Sequence, residues 1–357
     1  MNILGHSVRF LVLLVNLFIG TCLLFCAYSP FISPVEHPVL ACAGLCLPFF
    51  GVANLLLFFF WLLVKRKYIV LPLLFFIAGG KALWMYSPFN LSQSGDGGEV
   101  IKVLTYNTMG MRTEKDAEGK QTNPILEYLK KSDADIVCLQ EYPVRNRRIR
   151  KELGKAYPYI KTLPVNESYG LACLSKFPIL SVKRIPYVSA NNGSMLLRIK
   201  MEKDTVAVIC NHLESNKLNS QDKEMYEDLL KSPDEQKVKT EGKHLLRKLA
   251  DAVAIRAVQA DSVARSIEKN RCRYMIVCGD FNDSPVSYAH RVISRNLQDA
   301  YVEAGFGPGF SYNQNFLYFR IDHILATETF KVLNCKIDRS ITASDHYPVW
   351  SLLEKKK

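Results

Sequence analysis

Between Pro38 and Val64 the chain runs for 27 residues without one charged side chain. A helix needs roughly 20 apolar residues to cross the hydrocarbon of a bilayer. This run therefore constrains the chain more than any other feature, and it predicts a spanning helix. Two further runs flank it. Val8–Tyr28 carries one charge, Arg9, at its start, and Tyr68–Tyr86 carries Pro72 near its beginning and Lys81 near its far end. Three transmembrane helices are expected, at about 8–28, 38–64 and 68–86, with the Lys81 ammonium snorkelling to a polar layer. A cleaved signal peptide does not account for the first run, which is too long for a signal core and is followed by two more spans.

Charge divides the chain at the same place. Residues 1–95 hold five basic side chains (Arg9, Lys65, Arg66, Lys67, Lys81) and one acid, Glu36, which leaves 41 basic and 33 acidic residues in 96–357, a net charge of +8. Residues 1–89 read as a membrane anchor, Asn90–Glu99 ("NLSQSGDGGE") as a Gly/Ser-rich linker, and 100–357 as a globular domain able to bury its own core. Lys and Arg favour the cytoplasmic side of short loops. With Arg9 and Lys65–Lys67 inside and Glu36 outside, three spans put the large domain on the extracytoplasmic side; a third segment lying on the membrane would put it in the cytoplasm. The ten cysteines show neither disulfide nor zinc spacing. Cys22, Cys26, Cys42 and Cys46 lie in the spans, and Cys138, Cys210 and Cys278 sit in apolar runs as small hydrophobes. Unpaired thiols fit a reducing compartment better, which pulls against the outside placement.

The remainder alternates short apolar runs with turns and helical stretches. "VIKVLTYN" (Val100–Asn107), "DIVCLQE" (Asp135–Glu141), "GLACLSKFPI" (Gly170–Ile179), "MLLRIKM" (Met195–Met201) and "TVAVICNHLE" (Thr205–Glu214) read as strands. So do the start of "YMIVCGDFNDSP" (Tyr274–Pro285), "RIDHILA" (Arg320–Ala326) and "YPVWSLL" (Tyr347–Leu353). Helical spacing appears in Asn123–Asp135, near Tyr288–Ser294, and over 241–269, where Ala250, Val253, Ala254, Ala257, Val258 and Val263 make an apolar face. Residues 214–245 mix both signs of charge and read as a solvated loop or surface helix. Many strands with interspersed helices predict layered α/β with a sheet-on-sheet core.

Polar residues recur where the apolar strands stop: Asn107, Glu141, His212, Asp280 with Asn282, Asp322-His323, and Asp345-His346 just ahead of the last strand. One such residue is ordinary turn chemistry. Six strand ends bearing carboxylate, amide and imidazole are the types a hydrolytic metal site needs. Glu141, Asp345 and the Asn107 carbonyl offer hard oxygen ligands, which suit Mg²⁺ or Mn²⁺ and not zinc. Asp280 can position or deprotonate a water, Asn282 can donate to a phosphate oxygen, and an Asp322–His346 pair can move a proton or hold a phosphate. No G-x-S-x-G elbow or Walker-type loop is present, which argues against acyl transfer and nucleotide-loop chemistry.

In order, "LTYNTMG", "LQEY", "GLACLSKFPI", "NHLES", "GDFNDSP", "RIDHIL" and "SDHYPV" resemble the endonuclease/exonuclease/phosphatase family, which includes DNase I-like nucleases, abasic-site endonucleases, neutral sphingomyelinases and inositol polyphosphate 5-phosphatases. The resemblance covers about 100–355. It implies a four-layered α/β sandwich, two packed mixed β-sheets flanked by helices, with one Mg²⁺-dependent phosphoester-cleaving site. By motif, Asn107 and Glu141 resemble the metal-side residues, with Asp345 near the metal. Asp280 and Asn282 resemble the water-orienting and phosphate-binding pair, His212 the phosphate-contacting histidine, and Asp322–His346 the acid–histidine dyad. The family uses either Asp or His as base, so the base stays open. His212 departs from the abasic endonucleases, which carry Asn there.

The expected activity is a membrane-anchored, Mg²⁺-dependent phosphodiesterase of nuclease type, with a phospholipid or phosphoinositide phosphoesterase as the alternative and a non-catalytic tethered binding protein as a remote one. The expected partners are a phosphoester substrate (nucleic acid, nucleotide or phospholipid) and the bilayer; no protein partner is implied. A net charge of +8 is modest for a polyanion binder, whose affinity would depend strongly on salt. Further candidates for substrate contact are Arg198, Tyr312 with Asn313, the basic cluster Arg145–Lys151, and the apolar "NQNFLYFR" (Asn313–Arg320) beside the site. Asp283 is expected to start the turn into Ser284-Pro285 as a structural acid.

Overall fold

The computed structural model describes residues 5–91, 93–115, 121–202, 204–232, 234–314 and 317–356. Ser92 of the linker and Asn315-Phe316 of the apolar segment lie outside the described residues. Among the described residues, three helical stretches are long and apolar enough to cross a membrane: His6–Phe31, Pro38–Val64 and Arg66–Tyr86. Their regular parts are α1 (His6–Tyr28), α2 (Leu47–Val64) and α3 (Val70–Tyr86). Phe18, Phe49, Leu63 and Ile77 are each about two-thirds or more exposed, which suits a surface meeting lipid and not water.

The second run is not one continuous helix. A short helix, Pro38–Ala41, and a 3₁₀ turn, Cys42–Cys46, precede α2, because Pro48 in its first turn has no N–H to give to a preceding α turn. Pro72 is likewise in the first turn of α3, where amides lack helical partners anyway. A buried polar ladder ties the three helices together. Asn16 Nδ2 donates to Asn54 Oδ1 (3.4 Å), Trp61 Nε1 to Asn16 Oδ1 (3.1 Å), and Asn54 Nδ2 to the Pro72 carbonyl (3.0 Å). Such bonds substitute for the hydrophobic drive that lipid does not provide between helices.

Beyond Val100 two six-stranded sheets pack face to face. Numbered along the chain, their strands are β1 (Val100–Asn107), β2 (Ile136–Tyr142), β3 (Tyr159–Pro164), β4 (Gly170–Ser175), β5 (Ile179–Ile185), β6 (Gly193–Met201), β7 (Asp204–His212), β8 (Met275–Asp280), β9 (Gln298–Asp299), β10 (Asp322–Ala326), β11 (Phe330–Ile337) and β12 (Val349–Lys355). The first sheet runs β11-β12-β1-β2-β4-β3 and the second β9-β10-β8-β7-β6-β5. Their facing sides form the central core, where the Cys138, Cys173, Cys210 and Cys278 thiols are fully buried among Ile, Val and Leu. Helices α4 (Pro124–Lys131) and α5 (Arg147–Leu153) cover the first sheet, and α7 (Lys243–Lys269) and α8 (Tyr288–Ile293) the second, while α6 (Ser220–Lys231) lies between in sequence. This is the four-layered α/β sandwich.

One local expectation is corrected and two are sharpened. "GLACLSKFPI" is two strands, β4 and β5, because Pro178 has no N–H for the ladder and the Ser175 hydroxyl accepts the Phe177 N–H to turn the chain. The linker is not free: the Asp96 and Gly98 amides donate to the Glu354 carboxylate, and the Gln93 amide donates to the Leu333 carbonyl. The charged stretch before α7 contains the regular helix α6, started by a capping box in which Asn219 and Asp222 exchange bonds.

Candidate active site

Strand direction assembles the site. β1 runs parallel to β2 in one sheet, and β7 parallel to β8 in the other, so Asn107, Glu141, His212 and Asp280 all emerge at carboxyl ends. His212 is the register partner of Asp280. β10 is antiparallel to β8 and begins with Asp322 opposite Asp280. β12 is antiparallel to β1, so Asp345 and His346, just ahead of it, return to the Asn107 end. The same edge of both sheets thus carries all eight residues named from the sequence.

Two backbone features aim the side chains. Gly279 has φ +135°, and a methyl on it would overlap the backbone of Asn211 in β7, so only glycine lets β8 leave the sheet there. Glu141 has φ +50°, an uncommon value for a non-glycine residue. It sits where the β2–β4 register shifts between Leu139 and Tyr142, a bulge that turns its carboxylate toward the site. Asn282 also has a positive φ (+52°), so the Asp280–Asn282 segment is not extended; Asp280 Oδ1 accepts the Asn282 amide (2.8 Å) and folds the chain back.

Asp280 is the hub. Its buried Oδ2 accepts from Asn107 Nδ2 (3.1 Å) and lies 3.7 Å from His346 Nε2 and 3.8 Å from His212 Nε2. Asn107 Nδ2 also reaches Glu141 Oε1 (3.3 Å), which is 3.9 Å from His212 Nε2. His346 Nδ1 pairs with Asp322 Oδ2 at 2.8 Å, so the ring presents Nε2 to Asp280. The Asp280, Asp322 and His346 ligand atoms lie within 4.8 Å of one another. The Asn107 carbonyl, expected as an oxygen ligand, instead accepts the Ser344 hydroxyl (2.8 Å), and it is the side-chain amide that faces the cluster. Asn282 Nδ2 donates to the Leu213 carbonyl (3.0 Å), and its second hydrogen remains for another acceptor.

Burial raises the Asp280 carboxyl above the usual range, with Asp322 adding to it and His346 and His212 opposing. Burial also raises Glu141 and lowers His212, which is therefore neutral near pH 7. On His346 burial acts downward, but Asp322, Asp280 and Asp345 outweigh it and push the imidazole up to about 10. The edge thus holds one imidazolium, one neutral imidazole and carboxyls more basic than free ones.

A family model for the Endonuclease/Exonuclease/phosphatase family matches residues 104–346. The chain belongs to that family. A second model, of a domain of unknown function (DUF8431), matches residues 9–86. Among solved structures, the chain is similar to an endonuclease/exonuclease/phosphatase from Bacteroides vulgatus (17% identity, TM-score 0.50, covering 72% of this chain and 100% of that one). It is also similar to an endonuclease/exonuclease/phosphatase family protein from Bacteroides thetaiotaomicron (16%, TM-score 0.50, 73% and 99%). A third is D. rerio TDP2 complexed with single strand DNA product (15%, TM-score 0.48, 72% and 100%). No curated protein matches the sequence. At these identities the likeness to solved structures is one of fold. Family membership makes the protein a metal-dependent hydrolase acting on phosphoesters. The donor set fits a divalent cation: Glu141 is a half-buried carboxylate raised by burial, beside the Asp345 charge, with no Lys or Arg bonded to it among the described residues.

The family resemblance did not reveal the supports. Ser311 Oγ accepts both the Ile321 and Asp322 amides (3.1 Å each) and so sets the start of β10. Tyr312 lies edge-on to His346 (5.1 Å between centroids), and Lys223 of α6 lies over the Tyr312 ring (5.5 Å). Nothing in the local pattern marks Ser311 or Lys223, since each acts across ten or more positions of sequence. Arg198 is not in the site: its guanidinium bonds the Asn270 carbonyl (3.2 Å) and Cys272 Sγ (3.3 Å), five residues along β6 from the end that meets His212. Arg145–Lys151 is an exposed face of α5 and its approach. Asp283 is structural, accepting Arg256 Nε (3.1 Å) and the Ser284 amide (3.0 Å).

Proposed function

We propose that this protein is a membrane-anchored, Mg²⁺-dependent phosphodiesterase, with residues 1–89 as anchor, 90–99 as the connection and 100–357 as the catalytic domain. The observation that carries this reading is the convergence on Asp280 of Asn107, His212 and His346 from separate strands of both sheets. Glu141 and Asp345 would hold the cation beside Asn107, whose Nδ2 holds the Glu141 and Asp280 carboxylates in place, with Mn²⁺ as a substitute; carboxylate oxygens of this kind suit such hard ions. When bound, the ion would neutralise charge on a phosphoryl oxygen.

The chain's own residues supply the proton chemistry. Asp280, more basic than a free carboxylate, orients the attacking water and takes its proton. Asn107 fixes the Asp280 carboxylate through Nδ2. His346, held as imidazolium by Asp322, faces the phosphate and gives its Nε2 proton to the leaving oxygen as the P–O bond breaks. Neutral His212 and the free N–H of Asn282 donate to phosphate oxygens. This division makes Asp280 the base and His346 the acid.

A second reading, an amphiphilic phosphoester as substrate, is favoured by one observation: Val286, six residues past Asp280, packs in the apolar cluster of the spanning helices with Leu23, Cys26, Leu47 and Ala82. The domain is proposed to lie on the extracytoplasmic side. It meets the ends of the bundle opposite Arg9 and Lys65–Lys67, and Cys138, Cys173, Cys210, Cys278 and Cys335 are buried out of reach of oxidants. The test uses the full chain in detergent micelles with Mg²⁺, on single-stranded DNA, RNA, bis(p-nitrophenyl) phosphate and phospholipid vesicles. EDTA-sensitive cleavage of a diester, abolished in Asp280→Asn, is expected. No cleavage across the panel, or full activity in that variant, refutes the reading.

A further inference from the structure

The spanning helices do more than hold the enzyme at a membrane. The two chain segments that bring Asp280 and Asp322 to the site are both seated on the bundle. The first is the exit from β8. Six residues of chain, ~20 Å at full extension, separate Asp280 from Val286, and Val286 is buried among α1, α2 and α3 side chains. The approach is close enough that a methyl built on Gly44, in the segment joining α1 to α2, would overlap the Val286 carbonyl. The next element, α8, is held to the same segment, where Arg291 Nε donates to the Pro30 carbonyl (2.7 Å) and its guanidinium covers the Phe31 ring (4.9 Å).

The second segment is the entry to β10. The last carbonyls of a helix have no partner within it. At the end of α3 the Met85 carbonyl is met by Nη2 of Arg320, a fully buried guanidinium that also lies over the Tyr301 ring (4.5 Å). Arg320 is two residues from Asp322, and the intervening Ile321 carbonyl accepts the Phe281 amide (2.8 Å), which joins the two segments directly. His323 Nε2 joins them again at the Asp283 carbonyl (2.9 Å). Around the bundle's rim, Asn90 donates to the Val302 (2.7 Å) and Gly305 (3.1 Å) carbonyls, and Phe89 packs edge-on to Phe306 (5.4 Å).

We infer that the anchor is a structural wall of the active site, with Arg320 as a positioning residue that ties Asp322 to the end of α3, and with Gly44 as the seat of the loop that carries Asp280 and Asn282. This rests on the roles proposed above for Asp280 and Asp322. The enzyme is then competent only when its spanning helices are assembled, and a change inside the anchor alters turnover without touching the phosphate.

The test compares Gly44→Ala, Arg320→Met and Arg320→Lys with Gly80→Ala, an α3 position where a methyl meets open space. Each is made in the full chain in detergent micelles with Mg²⁺, and kcat and KM are measured on bis(p-nitrophenyl) phosphate alongside amide exchange of segments 280–287 and 320–323. Gly44→Ala and Arg320→Met are expected to lower kcat ~10–100-fold with KM within about twofold, as a misplaced catalytic group does. Exchange in both segments should quicken. Arg320→Lys should fall between, because an ammonium can still donate to the Met85 carbonyl, and Gly80→Ala should match wild type. Wild-type kcat and wild-type exchange in both Gly44→Ala and Arg320→Met overturn the inference. If wild type does not cleave the diester while exchange changes as described, the proposed activity fails and the coupling stands.

Discussion

Asp322→Asn keeps the shape of the dyad and removes its charge, which isolates what the charge does to His346. Burial on its own disfavours an imidazolium at this position; the carboxylate 2.8 Å from Nδ1 is the first of the groups that reverse this and bring the imidazole to about 10. An opposite charge at this range moves a titration by ~1–3 pH units, or about 1.4–4 kcal/mol. If His346 is the proposed acid, working in its protonated form, activity in the wild type falls as pH rises through about 10. In Asp322→Asn that alkaline limb moves down by ~1–3 pH units. A limb lowered by that much leaves only a fraction of the donors protonated at pH 8, so kcat should fall there by up to ~10-fold with little change in KM. The assay is kcat against pH for the full chain in detergent with saturating Mg²⁺, on an alkyl and on an aryl diester. The aryl leaving group needs less help from an acid and should lose less. An alkaline limb that stays in place, or equal losses on both diesters, would refute the assignment of His346 as the acid. The stability linkage has a definite sign too. A raised histidine adds stability that is complete below its unfolded value of ~6.5 and disappears as pH rises through the folded one, so the wild type should lose stability on the alkaline side where Asp322→Asn does not.

Other substitutions test other parts of the structure. Glu141→Gln should weaken Mg²⁺ activation about 10–100-fold, read as the metal concentration for half-maximal rate, with the melting temperature unchanged or raised because burial disfavours this carboxylate. Asp299 is held well below the usual carboxylate range. Burial opposes this, but the bond from His290 (2.8 Å), the His323 ring 3.8 Å away and the Arg320 charge outweigh it. A depressed acid contributes stability above its unfolded value that is lost as pH falls, so Asp299→Ala should cost about 3–5 kcal/mol at pH 7 and flatten the acid side of the stability profile, measured by denaturant unfolding. Asn54→Leu removes the bonds to Asn16 and the Pro72 carbonyl and should destabilise the bundle by about 1–2 kcal/mol in SDS unfolding, with no change in KM.

Much of this molecule is legible locally. Apolar length and missing charge suffice for the three spans, since transfer of a helix into lipid is a sum over its own residues. The strands ending at His212 and Asp280 are legible for a similar reason: buried from both sides, they carry the apolar runs 206–210 and 275–278, and the strand ending at Asn107 carries a similar run broken at Lys102. By contrast β3, with no fully buried residue, and β11, with three, lie at the two edges of the first sheet, and their sequences carry no such run. Motif order identified the polar strand ends as one family's site.

Tertiary structure alone decided how those residues are used. Whether Asn107 offers its carbonyl or its amide depends on Ser344, 237 positions away. The direction of Glu141 depends on a bulge against β4, and the exclusion of Arg198 on register along β6. Titration of His346 depends on three carboxylates from separate parts of the chain. The contact between Val286 and the N-terminal apolar helices, on which the inferred role of the anchor rests, joins segments more than two hundred residues apart. The sequence by itself determined which segments are long and apolar enough to cross a membrane, which are strands and which residue types stand at their ends, because burial and hydrogen bonding act on each residue where it stands. Register, bulges and the seating of one unit on another are relations between distant segments, and only the folded chain sets them.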